Sequence, residues 1–471
     1  MSRDFKEDIF FQSDFLVRLV DKRVVVMGLG LSGFSMVKFL YPYVRSISVV
    51  DDRVCPPYYA ECQRQFPELP VQCGSLFVDS SSFDCVCLSS GLSRSRDEIR
   101  PFVEAGIPVF GEIELFAQLN PSKFSKVIAI TGSNGKTTTV SLVAHLLQFL
   151  GYSAVTIGNI GYPVLDFYSS MISWPDFLVL ELSSFQLENT FSLRKDVSTF
   201  LNIVSDHIDY HGDFVSYRNA KYRVHDCSSM LVINDDDEFL HELISCDAPS
   251  IHYSLHEDDS DFTIKDNSIF YHQSIIGSLD SFSLFGVANR YNMLAALSVC
   301  YAMVGDEIFN STPSWSKFEP LPHRNTYVAT YGGVSFYNDS KATNVGATTV
   351  SLQNFYGRVI LLLGGIAKGQ DFSSLRGVVA HRVKMVFVFG QDAFAIIKSI
   401  YGAVPIVRVD NLKEAVDASF SCALPGDTVL LSPSCSSFDQ FRDFQARGNL
   451  FCQYVCNLVA SPKRGSDGVS A

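Results

Sequence analysis

The stretch Ala129–Leu147, AITGSNGKTTTVSLVAHLL, decides how this chain is read. Val127 to Ile130 is a short apolar run of strand length. Val140, Leu142, Val143, Leu146 and Leu147 then recur at helical spacing and mark a core-facing stripe. A plain turn between a strand and a helix requires neither a lysine nor a row of threonines. A phosphate-binding turn uses both. The backbone N–H groups from Gly132 to Thr138 can form an anion nest at a helix N-terminus, Lys136 can bridge the terminal phosphates, and the Thr137 hydroxyl can ligate Mg²⁺. Gly135-Lys136-Thr137 fits the end of the G-x-x-x-x-G-K-[ST] pattern, but Ile130 stands where the first glycine belongs and Gly132 lies inside the loop. ATP with Mg²⁺ is the expected cofactor, held by Gly132, Ser133, Asn134, Gly135, Lys136, Thr137 and Thr138.

On the N-terminal side, RVVVMGLGLSGFSMVKFL places Gly28, Gly30 and Gly33 between an apolar strand and a helix, and a second strand, SISVVDD, ends in Asp51 and Asp52. That is a Rossmann-type unit with a phosphate-accepting turn. On the C-terminal side, DFLVLELSS, VSTFLNIVS and SMLVIND alternate with helical stretches and predict a largely parallel sheet. From EPLPHRN onward, GVSFYNDS, RVILLLGG, KMVFVFG and DTVLLSP predict another open α/β unit. The expectation is therefore α/β with three domains: a Rossmann-like domain at 1–114, a central P-loop ATPase-like domain at 115–319 and a Rossmann-like α/β domain at 320–471.

Composition agrees with several globular domains, since 471 residues exceed one ordinary core and 47% are hydrophobic against 18% charged. The net charge of -13 argues against bulk attraction to nucleic acid. Twelve cysteines are scattered without paired Cys-x-x-Cys knuckles, which favours free thiols. The first twenty residues carry charge at both ends and no small-residue cleavage site, and no apolar run of membrane length is read, so a cytoplasmic protein without stable membrane insertion is expected.

The loop TGSNGKTT resembles that of the Mur ligases and folylpolyglutamate synthases, which join amino acids to a carboxylate at the expense of ATP. GNIGYP, LELSSFQLE, LNIVSDHIDYHG, YRNAKYR, LPHRN, NDSKATN, LLLGGIAKGQDF and LSPSCSSFDQFRDFQARG follow in the order of the D-glutamate-adding branch of the Mur ligases, over nearly the whole chain. The resemblance implies transfer of D-glutamate to UDP-N-acetylmuramoyl-L-alanine by a cytoplasmic monomer. It also implies roles. Glu181 and Thr137 would hold one Mg²⁺, and His207 with Lys221, as a carbamate, a second. Lys136, Lys221, His207 and Glu181 would be catalytic. Asn292, Arg324 and Asp339 would contact ATP across an interdomain gap from Lys136. Leu31, Ser32, Arg53, Ser89, Gly91, Asn159 and Ser183 would contact the UDP-substrate. Lys341, Thr343, Lys368, Ser437, Phe438 and Phe444 would form the D-glutamate pocket. The chain departs from the pattern at Asp52, Ser90 and Ala288, and an acid such as Asp52 beside a diphosphate is unhelpful.

Two other functions fit parts of the sequence. The Gly28-Gly30-Gly33 turn with Asp51 also suits a nicotinamide oxidoreductase, because a diphosphate is common to NAD and a UDP-sugar. A non-catalytic nucleotide-binding switch would use the loop but need neither Glu181 nor the lysines of the third segment.

Overall fold

A computed structural model describes residues 14–240, 248–257, 259–282, 284, 286–355 and 359–460; the segment before Asp14 that was read for a leader lies outside them. Three sheets organise the chain. The first is β1 (Arg23–Met27), β2 (Ser46–Asp51), β3 (Val71–Cys73), β4 (Cys85–Leu88) and β5 (Val109–Phe110), in the order β3-β2-β1-β4-β5 and parallel throughout. Val24 to Met27 are all buried, as expected of a strand covered on both faces. The helix Leu31–Leu40 then packs so closely on the preceding turn that a Cβ at Gly33 would lie 1.8 Å from the Gly28 carbonyl oxygen.

The second sheet contains β6 (Lys126–Thr131), β7 (Ala154–Gly158), β8 (Phe177–Glu181), β9 (Lys195–Phe200), β10 (Ser228–Asn234), β11 (Ser250–Ser254), β12 (Phe262–Lys265), β13 (Ser268–Tyr271) and β14 (Ser274–Ser278). Its order is β14-β13-β12-β11-β10-β9-β6-β8-β7, parallel from β7 to β12 and antiparallel from β12 to β14. The antiparallel end was not read from the sequence, because its strands are short and only half apolar. The helix Val287–Val304 closes this sheet's core with Met293 to Val299 buried. Together with the turn after it, this helix is long and apolar enough to cross a membrane by composition alone, a property missed in the sequence; its buried interior marks it as a core helix.

The third sheet has β15 (Thr326–Tyr331), β16 (Val334–Asn338), β17 (Val359–Gly364), β18 (Val383–Phe389), β19 (Ile406–Arg408) and β20 (Thr428–Leu431), ordered β15-β16-β20-β17-β18-β19. Only β15 runs antiparallel. Contacts divide the chain into two compact units. One holds the first two sheets: the chain up to Ile203, Val215–Phe282 and Arg290–Phe318. The other holds the third sheet, from Glu319 on, with Val204–Phe214 and Ser283–Asn289.

Candidate active site

In the first unit, the loop after β6 turns sharply into the helix Lys136–Phe149. Gly135 has φ 84°, and a Cβ there would come within 2.3 Å of Asn292 Oδ1, so both backbone and space demand glycine. Asn202, just past β9, clamps the loop: its carbonyl accepts from Ser133 N–H at 2.9 Å and its side chain from Asn134 N–H at 3.0 Å. This narrows the expected anion nest. The Ser133 and Asn134 amides are committed, and phosphate is left to the helix's first turn, where intrahelical bonding starts with Thr139 N–H to Gly135 O. Lys136 Nζ folds back on the Gly132 and Ser133 carbonyls at 2.6 and 3.0 Å. Asn292 is corrected in position. It is buried against the loop, accepting from Thr139 Oγ1 at 3.3 Å, and so belongs to the same unit as Lys136.

Glu181 ends β8, beside Ile130 of β6 in the ladder. It is buried, its Oε1 accepts from Asn159 Nδ2 at 2.8 Å, and its Oε2 is buried with no hydrogen-bond partner. A carboxylate oxygen stranded in this way is costly unless a cation covers it, and a hard anionic oxygen suits Mg²⁺. Lys221, also buried, donates to the Gly132 carbonyl at 2.8 Å. Among the described residues no three His, Cys, Asp or Glu side chains are gathered as a metal site.

A cavity of about 500 Å³ opens where the first sheet's glycine turn meets the Gly158–Pro163 turn. Leu31, Ser32, Arg53, Ser89, Gly91 and Asn159 all line it, but Ser183 does not. Ser183 instead caps the helix Ser184–Glu188, exchanging hydrogen bonds with Gln186, and Gln186 reaches the cavity. Glu112, a wall residue missed in the sequence, is almost fully buried, and desolvation pushes its carboxyl up to about 8.

In the second unit, three loops leave the carboxyl ends of neighbouring parallel strands β16, β20 and β17, carrying Lys341 and Thr343, Ser437 and Phe438, and Lys368 respectively. Lys368 Nζ pairs with buried Asp206 at 2.8 Å, and Asn344 Nδ2 donates to the same carboxylate at 3.1 Å. Burial alone would raise Asp206, but the Lys368 and His207 charges outweigh it and hold the carboxyl low. His207 follows directly, in a left-handed conformation at φ 53°. Ser437 Oγ is buried without a hydrogen-bond partner, and Lys341 Nζ lies 4.2 Å above the Phe444 ring. Asp339 accepts from Asn325 N–H at 3.1 Å and Ser432 Oγ at 2.8 Å, and burial pushes it up to about 7. Arg324, whose Nη1 is 3.5 Å from Pro322 O, sits in the turn before β15.

Family models match along the chain: a MurD-like N-terminal domain of Mur ligases at 22–111, the Mur ligase middle domain at 130–300 and the Mur ligase glutamate ligase domain at 323–435. The chain belongs to the Mur ligase family. It is 37% identical to the UDP-N-acetylmuramoylalanine–D-glutamate ligase of Methylobacillus flagellatus over 94% of this chain and 98% of that one. To the ligase of the same name from Nitrosomonas europaea it is 36% identical, over 92% and 96%. Two solved Mur ligase structures from Thermotoga maritima share the fold. MurC, UDP-N-acetylmuramate-alanine ligase, has TM-score 0.57 and 15% identity over 93% of this chain and 100% of that one. MurF, in complex with ADP, has TM-score 0.59 and 16% identity over 88% and 96%.

Within this Mur ligase, the residues that the motif reading passed over are mostly neighbours of those it chose. Asp206 precedes His207, Asn344 follows Thr343, and Arg447 follows Phe444 within the quoted run. Arg447 is wholly buried. Its Nε donates to Ser340 Oγ at 3.0 Å, Nη2 to Ser340 O at 2.8 Å, and Nη1 to Cys435 O at 3.0 Å and Gly364 O at 3.4 Å, so one guanidinium ties together the roots of all three loops.

Proposed function

We propose that this Mur ligase joins D-glutamate to UDP-N-acetylmuramoyl-L-alanine, converting ATP to ADP and phosphate in the making of cytoplasmic peptidoglycan precursors. The observation that carries this reading is the 37% identity to a D-glutamate ligase over 454 residues, 94% of this chain. Residues 1–114 take the UDP-substrate, 115–319 the nucleotide and 320–471 the amino acid, in a monomer.

The substrate carboxylate attacks the γ-phosphorus of ATP, ADP leaves, and an acyl phosphate forms. The amine of D-glutamate then attacks the acyl carbon, phosphate leaves, and the nitrogen loses a proton. Both steps bring anions together, so the protein's work is positioning and charge. Lys136 and the helix-start amides hold the phosphates, and Lys136 gains most as charge shifts onto the transferred group. Arg324 meets the phosphates, Asp339 the ribose hydroxyls and Asn292 the adenine. Thr137 and Glu181 would hold one Mg²⁺, and His207 with Lys221, as a carbamate, would hold a second; bound there, the ions would supply charge neutralisation. Asn159 and Ser183 orient the UDP-substrate's carboxyl end, through Gln186 in the case of Ser183. Lys368, Thr343 and Ser437 receive the carboxylates of D-glutamate, with Phe438 and Phe444 as walls. The stranded Ser437 hydroxyl supports that role, since a substrate carboxylate would satisfy it.

The oxidoreductase alternative loses support at Asp51. The acid that would bind a dinucleotide's ribose already accepts from Leu29 N–H at 2.6 Å and from the Arg53 guanidinium at 2.8 and 2.5 Å. The deciding assay is phosphate release. D-glutamate should stimulate it in the presence of ATP and UDP-N-acetylmuramoyl-L-alanine, whereas L-glutamate and L-lysine should not. Equal stimulation by L-lysine would reject the assignment.

A further inference from the structure

The two consecutive acids at the end of β2 are used differently. Asp51 is filled from within, as above. Asp52 lies on the cavity wall with 41% of its side chain exposed, and its Oδ2 meets Arg96 Nη1 at 3.0 Å. Arg96 comes from the loop after β4 and lines the same cavity. Its Nε and Nη2 fork onto Glu98 at 3.2 and 2.9 Å. The backbone beneath it is fixed too, since the Arg96 carbonyl accepts from Ile99 and Arg100 N–H, each at 3.0 Å. Arg96 is thus gripped along one edge by Glu98 and at the tip by Asp52. Arg53 is gripped in the same manner by Asp51.

This arrangement answers the objection that an acid at position 52 repels a diphosphate. An unpaired carboxylate there would do so. Paired, it holds a cation on the wall of the cavity, in a planar group that loses little further freedom when an anion arrives. Each of the terminal nitrogens of Arg96 carries a second hydrogen beyond the one its acid partner uses.

We propose that Arg96 is a second cationic contact for the nucleoside diphosphate of the substrate, alongside Arg53, and that Asp52 is a positioning residue that braces Arg96 and does not itself bind the substrate. This rests on reading the cavity as the UDP-substrate site.

The test is calorimetric titration of the full chain with UDP and with uridine, at several salt concentrations. Arg96→Ala should weaken UDP about tenfold, the scale of one charge-assisted hydrogen bond. It should also flatten the salt dependence and leave uridine affinity unchanged. Arg96→Gln should behave alike, which guards against a local folding defect. Asp52→Ala should weaken UDP in the same direction and by less, and Asp52→Ala with Arg96→Ala should be no weaker than Arg96→Ala alone. A gain in UDP affinity for Asp52→Ala, or unchanged affinity in both Arg96 variants, would overturn the proposal. Arg53→Ala separates the two layers of the argument. If UDP fails to bind the wild type, or binds Arg53→Ala and Arg96→Ala as tightly as the wild type, the cavity itself has been misassigned; if Arg53→Ala alone weakens UDP, the cavity stands and the role of Arg96 falls.

Discussion

Lys136 and Lys221 donate to one and the same oxygen, the carbonyl of Gly132, at 2.6 and 2.8 Å. Two amines from different helices thus converge at the root of the phosphate loop. Lys136 is the less buried of the two. It can exchange loop carbonyls for phosphate oxygens, whereas Lys221 is buried. Lys136→Ala should therefore lower kcat by about 10²–10³-fold, the usual scale for removing one preorganised charge contact, with far less effect on UDP-substrate binding. Steady-state kinetics on a folded variant checks this, and near wild-type turnover would remove Lys136 from the phosphates.

Lys221 leads to a different expectation. Two ammonium groups that share one acceptor repel each other. A neutral Lys221 amine can add CO₂ with loss of a proton, which turns the repulsion of Lys136 into attraction and gives a carbamate able to bind Mg²⁺. Labelled bicarbonate should then yield a carbamate carbon signal by NMR in the wild type and none in Lys221→Arg. A signal that persists in the variant would assign the carbamate elsewhere.

The strands β1 and β2 of the first sheet and β16, β17, β18 and β20 of the third were legible because parallel strands buried on both faces read as unbroken apolar runs, such as Val359 to Leu363. The strand, glycine turn and helix around Gly135 were legible because the apolar run Val127 to Ile130 and the stripe from Val140 to Leu147 flank the turn. Partnership was harder to see. Asp206 and Lys368 are separated by 162 positions, and nothing local in either segment announces the ion pair. Arg96 and Asp52 come from loops after different strands. Gln186 was not read as a cavity residue, although it stands at the S-x-x-Q capping-box spacing from Ser183. Asn292 was grouped with Arg324 and Asp339 because its hydrogen bond with Thr139, 153 positions away, has no local signature.

Arg447 offers a test of the amino-acid pocket that leaves its proposed contact residues in place. It fastens the three loop roots through three carbonyl oxygens and the Ser340 hydroxyl, and burial lowers its own pKa to about 10. Arg447→Lys retains the charge but cannot span Ser340, Gly364 and Cys435 together. The expected result is a KM for D-glutamate raised about tenfold, with the KM for ATP little changed. Arg447→Met, which strands the carbonyls, should in addition cost on the order of 3 kcal/mol in denaturant unfolding. Equal loss of ATP and D-glutamate affinity in Arg447→Lys would mean that the arginine supports the sheet generally and not the pocket.

Glu112 should give the stability of the first unit a pH dependence. It starts the helix Glu112–Gln118 and faces Ser35 and Lys38 of the helix Leu31–Leu40 and Leu165 and Asp166 of the helix Val164–Ser170. Its strongest hold is burial, which moves the carboxyl from 4.5 in the reference state to about 8, with the Leu165 N–H at 3.4 Å and Lys38 opposing weakly. Lys38 is in any case occupied, pairing with Asp166 at 2.7 Å. Between these two pKa values the folded chain holds a proton that the unfolded chain has lost, so unfolding free energy must fall as pH rises through that window and level off above it. The size is about 1.4 kcal/mol per unit of separation, several kcal/mol in all as an upper bound. Glu112→Gln removes the titration while keeping the shape. Its stability should match the wild type near pH 5, exceed it increasingly toward pH 8, and show the flatter profile in urea unfolding. Parallel profiles for the two proteins across that range would mean that Glu112 is ionised in the folded chain, with a cation or water satisfying it from the cavity side.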